Sequence, residues 1–376
     1  MQKIMQENSK KQKPRARDLG IPFEGMTGPF NAITDVQGVS VGYSTLISGK
    51  AAKDGTPPAV RTGVTAILPR GAASPADPVF AGFFSLNGNG EMTGTHLVEE
   101  TGFLDGPVMI TNSHSVGLVR DTVVKWQIRK GNLFQHFATP VVAETSDAYL
   151  NDQNGFHISE EAVFAALEGA HGGAIAEGNV GGGTGMCLFE WKGGTGTASR
   201  KVTLAGGYTV GVLVQANFGL RSQAMVAGVP VGKIVKQGET VFSQGTLSQM
   251  GASMVAVIAT DAPLLPHQLK RLARRATIGM ARTGGMANNT SSEIFIAFST
   301  ANAQVAKNTF ATSSVTMLSN PAMDRLIDAT ALATEEAIIN ALVAAETMTG
   351  YEGRTVSAID HEELRMALKQ HDVLNP

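Results

Sequence analysis

The sequence predicts an α/β protein built as a four-layer α/β/β/α sandwich, and three observations lead there. Short apolar runs such as Met254-Val255-Ala256-Val257-Ile258-Ala259 and Ile294-Phe295-Ile296-Ala297-Phe298 have the length and β-branched content of buried strands. Longer stretches with apolar residues at helical spacing lie between or after them. Forty-three glycines, clustered at the ends of apolar runs, supply the tight turns of a β-rich chain. Strands packed between layers of helices then form two sheets face to face with helices outside.

The elements follow in order. Residues 1–18 carry five lysines and arginines before Arg17 and few apolar residues, so they read as a flexible basic arm ahead of a single domain over 19–376. Strands are expected at Val39–Tyr43, Gly63–Pro69, Ala81–Leu86, Pro107–Asn112, Val141–Glu144, Val202–Leu204, Thr209–Asn217, Met254–Ala259 and Ile294–Ser299. Helices are expected at Thr93–Thr101, at Ser115–Lys130 and at Ser159–Gly169, where Ser159 is an N-cap followed by two dipole-favouring acids. Pro266 suits a first helical position, with Leu269, Leu272, Ala273, Ala276 and Met280 on one face and Lys270, Arg271, Arg274 and Arg275 mostly on the other. A last long helix runs from Pro321 to about Met348, with Met323, Ile327, Ala331, Ile338, Leu342 and Ala345 on its apolar side.

Composition excludes several function classes. With 376 residues, 43% apolar and a formal charge of −2, the chain is expected to be a soluble globular protein with a large core. No Pro/Ser-rich or charged linker divides it. The single cysteine, Cys187, allows no intrachain disulfide and no cysteine metal cluster, and reads as a buried small hydrophobe. The positive charge of the first residues is local and the remainder of the chain balances it, which argues against nucleic-acid binding. No apolar run is long enough to span a bilayer and no signal-peptide core is visible, so a cytoplasmic location is expected. The eight histidines include no i, i+4 pair, and no Gly-x-Ser-x-Gly elbow occurs where an α/β-hydrolase would need it. His114 and His267 read as structural.

The chemistry concentrates around Ser253. Residues 245–252 are small or flexible, and they deliver Ser253 to the start of a buried strand. If the peptide bond before it is broken, the serine carries both a hydroxyl nucleophile and an α-amine. Such an amine, with an ordinary pKa of about 7.7–8.0, can take the proton of its own hydroxyl. Alone, a serine heading a strand more often satisfies a local hydrogen bond. Ser291 and Glu293, two residues apart at the head of the next apolar run, share a face and strengthen the case. Ser248 lies in the same loop but heads no strand. Gly181-Gly182-Gly183-Thr184-Gly185 lacks the ending of a phosphate loop and reads as a tight turn lining the substrate cleft. Gly88-Asn89-Gly90 is a loosened dinucleotide fingerprint and the seed of a rival reading as a nucleotide-dependent oxidoreductase.

The ordered segments Pro14–Phe23, Asn31–Val36, Thr111–Gly117, Gly181–Met186, Val214–Gly219 and Ser253–Thr300 resemble the family of L-aminopeptidases with D-amidase and D-esterase activity, which includes the β-peptidyl aminopeptidases. The resemblance runs over nearly the whole chain. It implies a sandwich similar to amino-terminal-nucleophile hydrolases with different connectivity, and self-cleavage between Ala252 and Ser253 into fragments 19–252, with the arm, and 253–376. It further implies Ser253 as nucleophile and its amine as general base, with Asn217 holding the oxyanion helped by Tyr149, and Ser291 and Glu293 orienting the amine. No metal or organic cofactor is implied. The partners would be small peptides, amides or esters with a free amine, among them β-amino or D-configured ones, together with the chain's own two fragments and further copies in a homo-oligomer. Ala252 stands where the family commonly has glycine or asparagine, which predicts slower self-cleavage. A catalytically inactive binding relative is the remaining alternative.

Overall fold

Two β-sheets lie face to face because central strands such as Val108–Thr111, Ser253–Thr260 and Ser292–Ser299 are apolar on both sides and need cover on both. The computed structural model describes residues 13–51, 57–131, 133–203, 206–236, 238, 252–307 and 311–374. In chain order the elements are β1 (Ser40–Ser48), β2 (Val60–Leu68), β3 (Val79–Gly88), α1 (Thr95–Thr101), β4 (Phe103–Leu104), β5 (Val108–Thr111), α2 (Val116–Lys130), β6 (Val141–Glu144) and α3 (Glu160–Glu168). Then come β7 (Cys187–Leu188), β8 (Trp191–Lys192), β9 (Gly194–Val202), β10 (Tyr208–Asn217), β11 (Ser253–Thr260), α4 (Pro266–Ala273), α5 (Ala276–Arg282) and β12 (Ser292–Ser299). The last are α6 (Met323–Val343), β13 (Met348–Thr349), β14 (Thr355–Val356) and α7 (His361–Lys369).

The smaller sheet has the order β1-β2-β5-β6 and the larger β4-β3-β12-β11-β10-β9. β11 and β12 run parallel, while β10 and β3 flank them antiparallel. Ile67, Ile110 and Ala143 of the small sheet meet Leu213, Val255, Val257, Ile294 and Ile296 of the large one in the central core. Outside the small sheet, α2 and α3 cover Val64, Met109 and Val142. Outside the large sheet, α4, α5 and α6 cover Met254, Ala256, Ile258 and Phe295. The chain is thus a four-layer α/β/β/α sandwich. Burial on both faces explains why β11 reads as a continuous apolar run and not as an alternating one.

Four expectations need correction. Only the last residue of β9 was anticipated, because Gly194–Val202 is built from glycine, threonine, serine and arginine. Gly196 is needed there: a Cβ would lie 2.0 Å from the Ala337 carbonyl oxygen, so α6 packs directly on β9. The helix expected from Pro266 to Met280 is two helices, parted at Arg274–Arg275. The long helix ends at Val343, and α7, capped by Asp360 on the Glu363 N–H at 2.8 Å, was not anticipated.

The fourth concerns the basic arm. Residues 1–12 lie outside the described residues, but 13–18 are docked. Arg17 forks onto both carboxylate oxygens of Glu336 at 2.7 and 2.8 Å, Arg15 donates to the Thr197 carbonyl at 2.6 Å, and the Ala16 N–H reaches Asn340 Oδ1 at 3.0 Å. Arg200, fully buried in β9, completes the cluster on Glu336 at 2.6 Å. Among the described residues no helix is long and apolar enough to cross a membrane.

Candidate active site

One end of the large sheet collects polar groups because β10 ends there while β11 and β12 begin there. Register places Ser253 opposite Asn217 on one side and Ser292 on the other. Ser253 is 4% exposed, and alternation along β11 turns its side chain to the face that carries Val255 and Val257 into the inter-sheet core. The carbonyl of Ala252 accepts from the Ser292 N–H at 2.9 Å. A backbone donor therefore already polarises the carbonyl that the Ser253 hydroxyl would attack. The loop 245–251, with Ser248, lies outside the described residues.

Asn217 is held at both ends of its carboxamide. Its Oδ1 accepts from the Cys187 N–H at 2.8 Å, and its Nδ2 donates to the Ser146 carbonyl at 3.0 Å. These two bonds fix which end of the amide is the donor. Tyr149 lies three residues beyond Ser146, packed against Leu150, Cys187, Met348 and Val356. The Arg354 guanidinium sits 5.2 Å from its ring centroid. Desolvation by burial, with the nearby Cys187, raises the Tyr149 phenol above its ordinary range against the pull of Arg354.

Ser291 and Glu293 are joined: Ser291 Oγ lies 3.0 Å from Glu293 Oε2, and Asn87 Nδ2 reaches Ser291 Oγ at 3.3 Å. Burial raises the Glu293 carboxyl to about 7, against hydrogen bonds from Ser291 and Asn87 that lower it. Alternation turns Ser291 and Glu293 to the helix-covered face with Phe295 and Ala297, whereas Ser253 and Ser292 face the other sheet. Ser253, Asn217, Ser291 and Glu293 thus share one end of the large sheet but divide between its two faces, while Tyr149 lies in a turn outside the strands.

The inter-sheet face also holds a carboxylate that sequence reasoning passed over. Glu144 ends β6, is 7% exposed, and accepts from Ser113 Oγ and from the Glu91 N–H at 3.1 Å. Burial raises its carboxyl, an effect opposed by those hydrogen bonds. Gly90 shows how near it stands to β12: a Cβ there would lie 2.4 Å from Ser292 Oγ and 2.6 Å from Glu144 Oε1. Ser292 is the register partner of Ser253, so Glu144 belongs to the same cluster. The available signal was the acid after the apolar run Val141-Val142-Ala143, which reads as an exposed strand end until the second sheet covers it.

Gly88-Asn89-Gly90 is therefore not a nucleotide cradle. Its turn is filled by Ser292 and Glu144, Asn89 Nδ2 is spent on the Thr290 carbonyl at 2.6 Å, and the following helix has only seven residues. Gly181–Gly185 is likewise not a cleft lining but a buried 3-10 turn between the sheets, where a Cβ on Gly182 would meet Gln215 Oε1 at 2.2 Å. Ser113-His114 lies in a 3-10 turn after β5 and not on a strand, and His114 stacks on Phe156 with centroids 5.9 Å apart. Among the described residues no group of three or more His, Cys, Asp or Glu side chains is placed to hold a metal ion.

Known proteins share this arrangement over nearly the full length. The family model of peptidase family S58 matches residues 31–356. The β-peptidyl aminopeptidase BapA of Sphingosinicella microcystinivorans is 52% identical over 368 residues, which are 95% of this chain and 92% of that protein. The solved L-aminopeptidase D-Ala-esterase/amidase of Ochrobactrum anthropi, described as a variant of the amino-terminal-nucleophile hydrolase fold, superposes with a TM-score of 0.89 at 47% identity, covering 96% of this chain and 100% of that one. A β-aminopeptidase from a Burkholderia species superposes with a TM-score of 0.88 at 45% identity over the same shares. With the match spanning both sheets and the Ser253 edge, the chain belongs to peptidase family S58.

Proposed function

We propose that the chain is made as a precursor, cuts itself between Ala252 and Ser253, and then releases amino-terminal residues from peptides, amides or esters. The observation that carries this reading is the placement of Ser253: a buried serine at the first position of a central strand, opposite Asn217, with the preceding carbonyl held by the Ser292 N–H. In the first step the Ser253 hydroxyl adds to the Ala252 carbonyl, the C–N bond breaks, and an ester joins Ala252 to Ser253 Oγ. Water then hydrolyses the ester, leaving a carboxylate on Ala252 and an α-amine on Ser253.

In the mature enzyme the Ser253 hydroxyl attacks the substrate carbonyl while its own amine takes the proton and passes it to the leaving group, an acid–base role worth on the order of 10²–10⁴ in rate. Water then hydrolyses the acyl-enzyme ester to free the amino acid and the serine. Asn217 Nδ2 donates to the oxyanion, with Tyr149 beside it. Ser291 and Glu293, on the far face of the sheet, act on the amine through the start of β11 and not beside the hydroxyl. Glu144 receives the substrate ammonium, since a buried carboxylate on the facing sheet, beside the Ser292 neighbour of the nucleophile, selects substrates with a free amine. The relatives named as β-peptidyl aminopeptidase and as D-Ala-esterase/amidase support β-amino and D-configured substrates. A cytoplasmic location and a homo-oligomer belong to the same proposal, the latter supported by the exposed Ile278, Met286 and Met317.

The test is the intact mass and amino-terminal sequence of the purified protein under denaturing conditions, beside Ser253→Ala. Two wild-type fragments, one beginning at Ser253, with only full-length variant, are expected. An uncut wild-type chain with aminopeptidase activity would overturn the amino-terminal-nucleophile reading.

A further inference from the structure

Lys192 ends β8 fully buried, and its ammonium meets backbone carbonyls: Nζ donates to Met186 O at 2.8 Å and to Gly193 O at 2.9 Å. Among the described residues no carboxylate lies within ion-pair distance of it. Burying an ammonium against neutral acceptors costs free energy that a methionine of similar length would not cost, so packing alone gives no reason for a lysine here.

What it touches gives the reason. The carbonyl of Met186 belongs to the same peptide group as the Cys187 N–H, and that N–H donates to Asn217 Oδ1 at 2.8 Å. Ammonium, peptide and carboxamide therefore form one chain of donors and acceptors that ends beside Ser253. An amide whose oxygen accepts a charge-assisted hydrogen bond shifts electron density away from its nitrogen, and its own N–H becomes the stronger donor.

We propose that Lys192 is a positioning residue for acyl transfer: through the Met186–Cys187 peptide it polarises and orients the Asn217 carboxamide, so that Nδ2 meets the oxyanion as a strengthened donor. The proposal rests on the reading of Asn217 as oxyanion donor. The hairpin that carries it is built for position. Cys187 and Lys192 are cross-strand partners, joined by Phe189 and Glu190, which both take left-handed backbone conformations with φ of 51° and 62°. Two-residue turns of this hand favour Asn-Gly, and strained residues persist only where their surroundings hold them. Here the Phe189 N–H donates to the Phe218 carbonyl at 2.8 Å, the two rings meet edge to face, and Arg221 Nη2 donates to the Glu190 carbonyl at 3.0 Å. Burial also lowers the Lys192 ammonium to about 7.

The experiment compares Lys192→Met, Asn217→Ala and the double variant on an aminoacyl p-nitroanilide, with kcat taken per chain that has acquired the Ser253 terminus. Asn217→Ala is expected to lower kcat by about 10²–10³-fold. Lys192→Met is expected to lower it by about tenfold with KM nearly unchanged, the order of one hydrogen bond to a charged group, and to add nothing in the Asn217→Ala background. Lys192→Gln, which keeps a neutral donor for Met186, should fall between wild type and Lys192→Met, and it carries the test if the methionine variant does not fold. Additive losses, or a full kcat per processed chain in both lysine variants, would overturn the proposal; so would a failure of both to fold, which assigns Lys192 to the architecture. An unchanged kcat in Asn217→Ala alone would instead remove the oxyanion reading on which it stands.

Discussion

Ser253 and Asn217 face each other as the first residue of β11 and the last residue of β10, so one end of an antiparallel pair carries both a nucleophile and an anchored carboxamide. Asn217→Ala should lower kcat/KM by about 10²–10³-fold, equivalent to about 2.7–4 kcal/mol, with the loss in kcat. Steady-state kinetics on processed enzyme checks this. A loss confined to KM would place Asn217 in substrate binding.

Glu144 should control selection for the free amine. Glu144→Gln keeps the size and the acceptor oxygen but removes the charge, and kcat/KM for amine-bearing esters should fall by roughly 10–100-fold, the worth of a hydrogen bond to a charged group. Esters of the corresponding acid without the amine should be hydrolysed at the wild-type rate. Equal losses on both substrates would separate Glu144 from amine recognition.

The Glu293 carboxyl gives a pH signature in stability. Burial raises it from its ordinary 4.5 to about 7, so the folded state favours the protonated form. That contribution is complete below the ordinary value and is lost as pH rises through about 7. Between pH 4.5 and 8, wild type should lose ~3 kcal/mol relative to Glu293→Gln, which stays neutral throughout. Thermal melts of both in the uncut Ser253→Ala chain measure it, since one chain then unfolds as a unit. Parallel curves would show that the carboxyl is not raised.

Glu336, buried on α6, pairs with both Arg17 and Arg200. Glu336→Gln leaves the fully buried Arg200 without its counter-charge and should cost about 3–5 kcal/mol. Denaturant unfolding of the same uncut chain reports it.

Legibility in the sequence followed burial by apolar side chains. β11 and β12 could be placed within one or two residues because both faces are covered and every position except Glu293 is apolar or small. β9 could not, because its burial is purchased with hydrogen bonds: Thr197 Oγ1 donates to the Val212 carbonyl, and Ser199 Oγ donates to Asp35. Arg15 and Arg17 read as solvated charges because their partners, Glu177 and Glu336, lie more than a hundred residues away. Within the site, Ser253, Asn217, Ser291 and Glu293 sit at strand ends that apolar runs announce. Glu144 and Lys192 become functional candidates only through the second sheet and a two-residue hairpin, which no local pattern encodes.

The order of the large sheet fixes what the proposed cut would do to the physics of the molecule. β11 and β12 occupy its centre, between β3 and β10, which come from the other side of the Ala252–Ser253 bond. Once that bond is gone, unfolding releases two chains instead of one, and the return path becomes second order in concentration. Loop closure that cost an intramolecular search is replaced by a diffusional encounter of two incomplete sheets, each exposing long unpaired strand edges. A protein cut in this way would be held together by the slowness of its unfolding, and its endurance would be a rate, set before the cut by a fold that only the uncut chain can reach in one piece.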